Sequence, residues 1–263
     1  MKRRISSFPI ILHIPHSSKA IPRKIRETFL LSDDELNKEL ICMTDAYTDE
    51  LFTKGMRNTH TEVYPVSRLV VDPERFIDDN KEPMSERGMG VVYTLTSGGK
   101  KLKDSISKRE RDKLINAYYN PHHDKVNLIA ERQIKSHGKC LIVDCHSFPS
   151  IPLPYEFDQS KVRPDICIGV DNFHTPTWLS NNTVKLFQGL GYSTKINQPF
   201  SGCFVPSWSY HISKNVLSVM IEINRNLYMD EKTGEKNNGF KVLQGQLTKV
   251  IKEIRKREPI SFF

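Results

Sequence analysis

The strongest constraint on the fold is a set of short apolar segments of strand length, rich in valine and isoleucine. Most of them do not alternate with polar residues, which is typical of strands buried on both faces of a sheet. Segments with helical periodicity lie between them. The sequence therefore predicts an α/β fold, with a central sheet covered by helices on both faces. The predicted strands are 8–14, 63–71, 140–145, 166–170 and 216–223.

Helix signals separate the predicted strands. Ser32 followed by Glu35 forms a capping-box pattern, which predicts a helix from this point to about Gly55. No internal repeat, low-complexity tract or linker interrupts the alternation of strands and helices, so residues 1–263 are predicted to form one domain. The other predicted helices are 107–120, which ends before Pro121, and then 122–138, 176–191 and 240–256.

Composition argues against several classes of protein. No apolar run approaches the roughly 18 residues that a membrane span needs. The net charge of +8 is spread along the chain and mixed with glutamates. This favours a generally basic surface over a nucleic-acid site, and a nucleic-acid-binding protein is kept as an alternative. The chain has five cysteines, an odd number, and they are scattered without a pairing pattern. This indicates reduced thiols and a cytoplasmic protein.

Polar residues occur where the predicted strands end. In open α/β sheets, ligands bind outside the carboxyl ends of the strands, so side chains from neighbouring strands meet there. No G-x-S-x-G, P-loop or G-x-G-x-x-G pattern offers another site. The candidates are His16 near the end of the first strand, Arg68, Asp72 and Arg75 near the end of the second, Asp144 and His146 near the end of the third, and Glu222 and Arg225 near the end of the last.

The residue types at these strand ends favour a metal-dependent hydrolase. Neutral imidazole is the commonest metal ligand, and catalytic zinc takes three protein ligands and leaves one position open. Glu222 lies between Ile221 and Ile223, where a carboxylate is costly to bury unless it is paired or functional. The structural alternatives are histidines that only bond within turns, and an ion pair between Glu222 and Arg225.

Other polar residues near these positions are expected to play supporting roles. Asp144 precedes His146 by two positions and is a candidate to hold a histidine in orientation. His13 lies inside the first predicted strand and is expected to be a core residue or to support a ligand. His122 and His123 begin a predicted helix, where a surface turn is favoured.

Eight short motifs together resemble the N-formylglutamate amidohydrolases. They occur in the order of that family and extend from Ile10 to about Glu231. The resemblance implies hydrolysis of N-formyl-L-glutamate to formate and L-glutamate, in histidine degradation. It also implies an α/β/α fold with a mixed, mostly parallel sheet, as in the zinc carboxypeptidases. The motifs are HIPHSSKAIP, TDAYTDELF, SRLVVDPERF, YNPHH, LIVDCHSFPS, PDICIGVDNF, INQPFSGCFVP and IEINRNLYMDE.

The resemblance also implies a set of metal ligands. His16 and His146 match the two histidine positions of the wider carboxypeptidase group. Those enzymes take a ligating glutamate three residues after the first histidine, but Lys19 stands there in this chain. The third ligand is therefore expected elsewhere. Asp45, in the motif TDAYTDELF, is the expected ligand, and Asp49 is the alternative because it lies one helical turn away.

The expected reaction is hydrolysis of a small N-acyl amino acid with one Zn²⁺, or another divalent transition metal, per chain. Glu222 matches the catalytic glutamate and is expected to be the general base, and Arg68 is expected to stabilise the oxyanion. Arg75 and Arg225 are expected to bind substrate carboxylates. Glu74 replaces a family asparagine, which leaves the amino acid of the substrate open. A carboxypeptidase-like peptidase acting on larger peptides or cell-wall fragments is the alternative.

Overall fold

The computed structural model describes residues 8–256, so both ends of the predicted single domain lie outside the described range. Between those residues, no helix is both long and apolar enough to cross a bilayer. The strands are β1 (Ile10–Ile14), β2 (Thr59–Val63), β3 (Cys140–Phe148), β4 (Ile166–Gly169), β5 (Thr194–Ile196) and β6 (Val216–Asn224). The α-helices are α1 (Arg23–Arg26), α2 (Asp33–Met43), α3 (Thr48–Thr53), α4 (Lys108–Leu114), α5 (Asn120–His137), α6 (Thr177–Gly189) and α7 (Phe240–Ile254). Short 3-10 turns cover Asp79–Lys81, Pro83–Arg87 and Arg225–Leu227.

The six strands form one mixed sheet in the order β2-β1-β3-β6-β4-β5. β2, β1, β3 and β6 run parallel to one another, whereas β4 is antiparallel to β6 and β5 is parallel to β4. The predicted α/β fold with a mixed, mostly parallel sheet is confirmed. Because β1, β3 and β6 are neighbours and run the same way, their carboxyl ends meet at one edge of the sheet.

Helices cover both faces of the sheet, and successive strand residues point to opposite faces. On one face, Leu141, Val143 and Cys145 of β3 belong to the largest core cluster, which includes residues of α3, α6 and α7. On the other face, Cys140 and Ile142 pack against residues of α5. We call these the α7 face and the α5 face. The alternation decides which polar side chains of the strands share a face.

The second predicted strand, 63–71, is misplaced. β2 ends at Val63, and residues 64–75 form a mostly buried irregular segment. Pro65 has no N–H to donate to a strand ladder. Two residues later the backbone turns, because the N–H of Val70 donates to the carbonyl of Ser67. The apolar run is therefore a buried loop. β5 was not predicted, since it is short and incompletely buried.

The helix predicted over 32–55 is two helices, α2 and α3, separated by residues 44–47. The predicted capping box is present at the start of α2. Asp45 lies in the break, and its backbone N–H donates to the carbonyl oxygen of His16 at 3.0 Å. Asp45 is buried, whereas Asp49 lies within α3 and is half-buried. The sequence had suggested that the two carboxylates share one helix face. They do not, because Asp45 lies outside both helices.

The predicted helix boundary at Pro121 is also wrong, because the helix continues through this residue. A π-helical turn, Ile115–Tyr119, directly precedes α5. Proline cannot donate a helix hydrogen bond, and such local widening is a common adjustment where the regular pattern is interrupted. His122 is consequently not in a surface turn. It is 3% exposed, and its Nε2 lies 2.8 Å from Nε2 of His13.

Candidate metal centre and active site

Polar side chains of the three central strands gather on the α5 face. His13 of β1 pairs in register with Asp144 of β3, and His146 of β3 pairs with Glu222 of β6. Asp144 and His146 are two residues apart and so point to the same face. The residues between and beside them fill the core of the α7 face. The alternation of side-chain direction in β1, β3 and β6 therefore places all four side chains on the α5 face.

His16 follows β1 and is 2% exposed. Its Nε2 lies 2.9 Å from Oδ1 of Asp72. Burial alone would raise the pKa of Asp72, but Arg68 and His16 hold it well below its usual range. Because an ionised carboxylate only accepts hydrogen bonds, Nε2 carries a proton. Nδ1 of His16 is buried without a hydrogen-bond partner and lies 3.6 Å from Oδ2 of Asp45.

Nε2 of His146, like Nε2 of His16, faces carboxylate oxygens. This atom lies 3.1 Å from Oδ1 of Asp144 and 3.0 Å from Oε2 of Glu74. Its Nδ1 lies 3.1 Å from Oδ2 of Asp45. Burial lowers the pKa of His146, but the charges of Glu74 and Asp144 raise it well above the ordinary value. The second oxygen of Asp144 accepts from the backbone N–H of Phe204 at 2.8 Å.

Asp45 completes the set from the break between α2 and α3. Its Oδ1 accepts from Nη2 of Arg225 at 2.9 Å, so Oδ2 is left to face the two histidines. Burial raises the pKa of Asp45, but the hydrogen bond with His146 and the nearby His16 and Arg225 hold it below its usual range. Arg225 also donates to two backbone carbonyls. The structure therefore gives Arg225 a contact with Asp45, where the sequence had suggested a substrate carboxylate.

Nδ1 of His16, Oδ2 of Asp45 and Nδ1 of His146 face one position. The ligand atoms of these three buried side chains lie within 4.8 Å of one another. Nδ1 of His16 has no partner, and a cation would satisfy this atom together with the carboxylate oxygen. Two imidazoles and one carboxylate are a donor set of catalytic zinc sites, and carboxylates on the distal ring nitrogens are their usual support. The residues present therefore fit a transition-metal ion.

Glu222 lies beside this position, on the strand next to His146. It is 6% exposed, and its Oε2 is buried without a hydrogen-bond partner. Burial raises the pKa of Glu222 to about 8, although the charge of His146 acts in the opposite direction. Arg225 pairs with Asp45 instead of Glu222. This carboxyl group is therefore near the candidate metal ligands and able to hold or release a proton.

Two further arginines border the site, and they differ in how strongly each contacts Asp72. Arg68 donates to Oδ2 of Asp72 through Nε at 3.1 Å and Nη2 at 2.7 Å. Arg75 makes a weaker contact, with Nε 3.7 Å from the same oxygen. Its Nε has no hydrogen-bond partner, and its side chain is 21% exposed. Arg75 is the better placed of the two to bind a substrate carboxylate.

Sequence reasoning did not assign two residues of this site. Asp72 was named at a strand end but given no role, although it orients His16. Glu74 was considered only as a possible influence on the substrate, whereas its carboxylate contacts His146 and His13. Both residues lie in the irregular segment 64–75, where no period of side-chain direction exists. An acidic residue next to Arg75 was the only available signal.

The chain is similar along most of its length to a known family. The family model of N-formylglutamate amidohydrolase matches residues 8–229. Among solved structures, the N-formylglutamate amidohydrolase from Ralstonia eutropha JMP134 has a TM-score of 0.82 at 22% identity, covering 95% of both chains. A gene product of Agrobacterium tumefaciens has a TM-score of 0.62 at 22% identity, covering 94% of this chain and 92% of that one. No curated protein sequence matches.

These similarities carry different weight. At 22% identity, the two solved structures establish the fold. The family model covers residues 8–229, which is most of the chain, and so establishes the family. The predicted resemblance and the predicted enzyme class are both confirmed. The chain belongs to the N-formylglutamate amidohydrolase family and is a hydrolase that acts on amide bonds.

Proposed function

We propose that this protein is a zinc-dependent amidohydrolase that cleaves N-formyl-L-glutamate to formate and L-glutamate. The observation that carries the proposal is the convergence of His16, Asp45 and His146 on one buried position, with the unpartnered carboxyl of Glu222 beside it. Family membership supports an amide substrate, and the name of the similar Ralstonia eutropha enzyme supports an N-formyl amino acid. The partner is therefore a small molecule.

His16 and His146 would bind one Zn²⁺ through Nδ1, and Asp45 would bind it through Oδ2. When bound, the ion polarises the amide carbonyl and lowers the pKa of water. The donor set supports zinc, because magnesium and calcium prefer sites made of oxygen ligands alone. Arg225 holds the proposed ligand Asp45 in place through a hydrogen bond. We therefore propose that Arg225 positions Asp45 and does not bind the substrate.

Glu222 is the proposed general base. It takes a proton from the attacking water and later gives it to the leaving nitrogen. A bound cation favours the ionised form of a nearby carboxylate, which prepares Glu222 to accept that proton. Arg68 is the proposed partner of the negative charge that develops on the carbonyl oxygen.

Arg75 is the proposed binding group for a substrate carboxylate. Its loose contact with Asp72 and its partly exposed side chain support this role. A guanidinium matches a carboxylate with two parallel hydrogen bonds, which would distinguish an acidic substrate from a neutral one of similar shape.

The test combines metal analysis with a substrate comparison. The purified protein is expected to hold one Zn²⁺ per chain and to release formate from N-formyl-L-glutamate, and chelation is expected to abolish the reaction. N-formyl-L-glutamine is the matched control for the side-chain carboxylate and should react more slowly. Full activity in metal-free protein would contradict the metal centre. Cleavage of short peptides without formate release would favour the peptidase alternative.

A further inference from the structure

Further ionisable side chains, among them His13 and Glu74, lie behind the proposed metal centre. His13 is fully buried, and its Nδ1 lies 2.9 Å from Oδ1 of Asp144 and 3.4 Å from Oε1 of Glu74. The same two carboxylates contact Nε2 of His146. Two imidazoles and two carboxylates therefore alternate in a closed ring of contacts, in which the contact between His13 and Oε1 of Glu74 is not a hydrogen bond. We call His13, Glu74, Asp144 and His146 the ring. Only His146 has a role in the function proposed above.

Glu74 reaches the ring from the irregular segment after β2. Its backbone N–H donates to Oδ1 of Asp72 at 3.0 Å. The same oxygen of Asp72 lies 2.9 Å from Nε2 of His16. One short stretch of chain therefore contacts both histidine ligands, His16 through Asp72 and His146 through Glu74. Arg75, the proposed substrate-binding residue, follows Glu74 directly.

We propose that Glu74 is a positioning residue of the metal centre, which fixes His146 as a ligand by accepting a hydrogen bond from its Nε2. This inference rests on the ligand set proposed above. Asp144 alone is a divided support, because its Oδ1 is shared between His146 and His13. Glu74 supplies the second acceptor. A carboxylate on the distal nitrogen fixes the ring orientation and increases the basicity of the ligating nitrogen, so it strengthens metal binding.

Two other roles for Glu74 are weaker. As a substrate contact, Glu74 would have to turn away from His146, and its negative charge would repel an acidic substrate. As part of a second metal site, Glu74 would act with His13 and Asp144, whose ligand atoms also lie close together. Both oxygens of Asp144 already face N–H groups outside that trio, however: Oδ1 lies 3.1 Å from Nε2 of His146, and Oδ2 accepts from the backbone N–H of Phe204. A second ion would therefore find no free oxygen on Asp144. Both roles remain as outcomes of the experiment.

The experiment measures zinc affinity in Glu74→Gln and Glu74→Ala, by competition with a chromophoric chelator. Gln keeps the size of the side chain and one acceptor oxygen, but it removes the negative charge and places an amide N–H₂ against one of the two ring nitrogens. Ala removes the acceptor without adding a donor. Both variants are expected to keep one Zn²⁺ per chain and to weaken its binding about 10–100-fold. With zinc saturating, KM for N-formyl-L-glutamate should stay within about threefold of wild type.

Glu62→Gln is the matched control. Glu62 is also a buried carboxylate, but it contacts His122 on the far side of His13 and touches no proposed ligand. Its zinc affinity should equal that of the wild type. The absorption spectrum of the cobalt-loaded protein gives a second readout, because a displaced His146 changes the coordination geometry. The spectrum should change in the Glu74 variants and not in Glu62→Gln.

Several results would overturn the inference. Unchanged zinc affinity in both Glu74 variants would do so, as would a raised KM with unchanged affinity, which would make Glu74 a substrate contact. Two zinc ions per wild-type chain, one of them lost in Glu74→Ala, would make the ring a second metal site. If the wild type binds no zinc, the proposed function fails together with this inference. If it binds zinc but does not hydrolyse N-formyl-L-glutamate, only the substrate assignment fails, because the affinity measurements need no substrate.

Discussion

At the scale of single residues, Glu222 combines burial with nearness to the ligands. Its neighbours in β6 belong to the core of the α7 face, and its own side chain points to the α5 face beside His146. A carboxylate buried without a hydrogen-bond partner costs stability, so a folded protein keeps one where it has a use. The position in the sheet and the missing partner together support the proposal that Glu222 is the base.

Replacing Glu222 with glutamine tests this role, because the change preserves the shape and removes the proton acceptor. We expect zinc to remain bound and kcat to fall at least ~100-fold, the usual size of effect for a lost acid–base group. Metal content and steady-state kinetics check this result. Loss of the metal would instead mark Glu222 as a ligand, and near-normal kcat would leave it with a structural role.

Lys103 is another buried ionisable residue, and it has no role in the proposed chemistry. It is 2% exposed, and its Nζ lies 3.3 Å from the carbonyl oxygen of Leu69 and 4.8 Å from the ring centre of Phe29. Burial lowers the pKa of Lys103 to about 8. The unfolded chain, with a lysine pKa of about 10.4, therefore binds more protons than the folded protein between these two values. Stability attributable to this lysine rises with pH across that window.

Lys103→Met should remove this dependence. At pH 7 we expect the variant to unfold with a free energy up to about 3 kcal/mol higher than wild type, since the full penalty of the buried charge is present there. The difference should shrink as the pH rises above about 8. Urea unfolding at pH 7 and pH 10 measures it, with Lys101→Met as the exposed control. A difference that does not change with pH would contradict the assignment.

At the scale of secondary-structure elements, the break between α2 and α3 decides which aspartate can be a ligand. The break places Asp45 against the end of β1, where its N–H bonds to the carbonyl of His16. Asp49 is the second residue of α3 and is less buried. The preference for Asp45 over Asp49 rested on the family-like motif after Thr44 and on the apolar residues of one continuous helix. The helix is broken at this point, and the break leaves Asp45 beside the two histidines.

Asp45→Ala and Asp49→Ala should therefore behave differently. Removing a ligand should weaken zinc binding by more than the 10–100-fold that is typical of a supporting residue, so Asp45→Ala is expected to empty the site. Asp49→Ala should bind zinc as the wild type does and serves as the control. Zinc competition titrations decide between them. A metal-free Asp49→Ala protein with a fully loaded Asp45→Ala protein would reverse the assignment.

The same scale shows how far the sequence could predict this protein. His16, His146 and Glu222 lie at or in strands with strong apolar patterns, and the sheet brings strand ends together by a general rule. Glu74 and Asp72 lie in a buried loop, whose path depends on contacts with distant segments. Apolar composition alone made that loop resemble a strand. The contact between His122 and His13 likewise needed the helix to continue through Pro121, which local preference argues against.

At the scale of the whole molecule, zinc should stabilise the fold. The proposed ligands come from the end of β1, the break after α2 and strand β3, and they meet only in the folded chain. A ligand that binds only the folded state at 100 times its Kd adds about 2.7 kcal/mol. For a protein of this size we expect the apoprotein Tm to rise by about 5–10 °C when zinc is added. His16→Ala should abolish the rise, and an equal rise in that variant would place the ion elsewhere.

The strand order has a consequence for synthesis on the ribosome. β3 lies between β1 and β6, and β6 also joins β4 and β5 to the rest of the sheet. In a nascent chain whose β6 has not yet left the ribosome, the strands β2, β1 and β3 are therefore not connected to β4 and β5. Such a chain also leaves the edge of β3 that pairs with β6 without a partner strand, although all residues of β3 are buried in the folded protein. An unpaired apolar edge of this kind promotes aggregation, so premature termination before residue 216 should yield a product that depends on chaperones or is degraded.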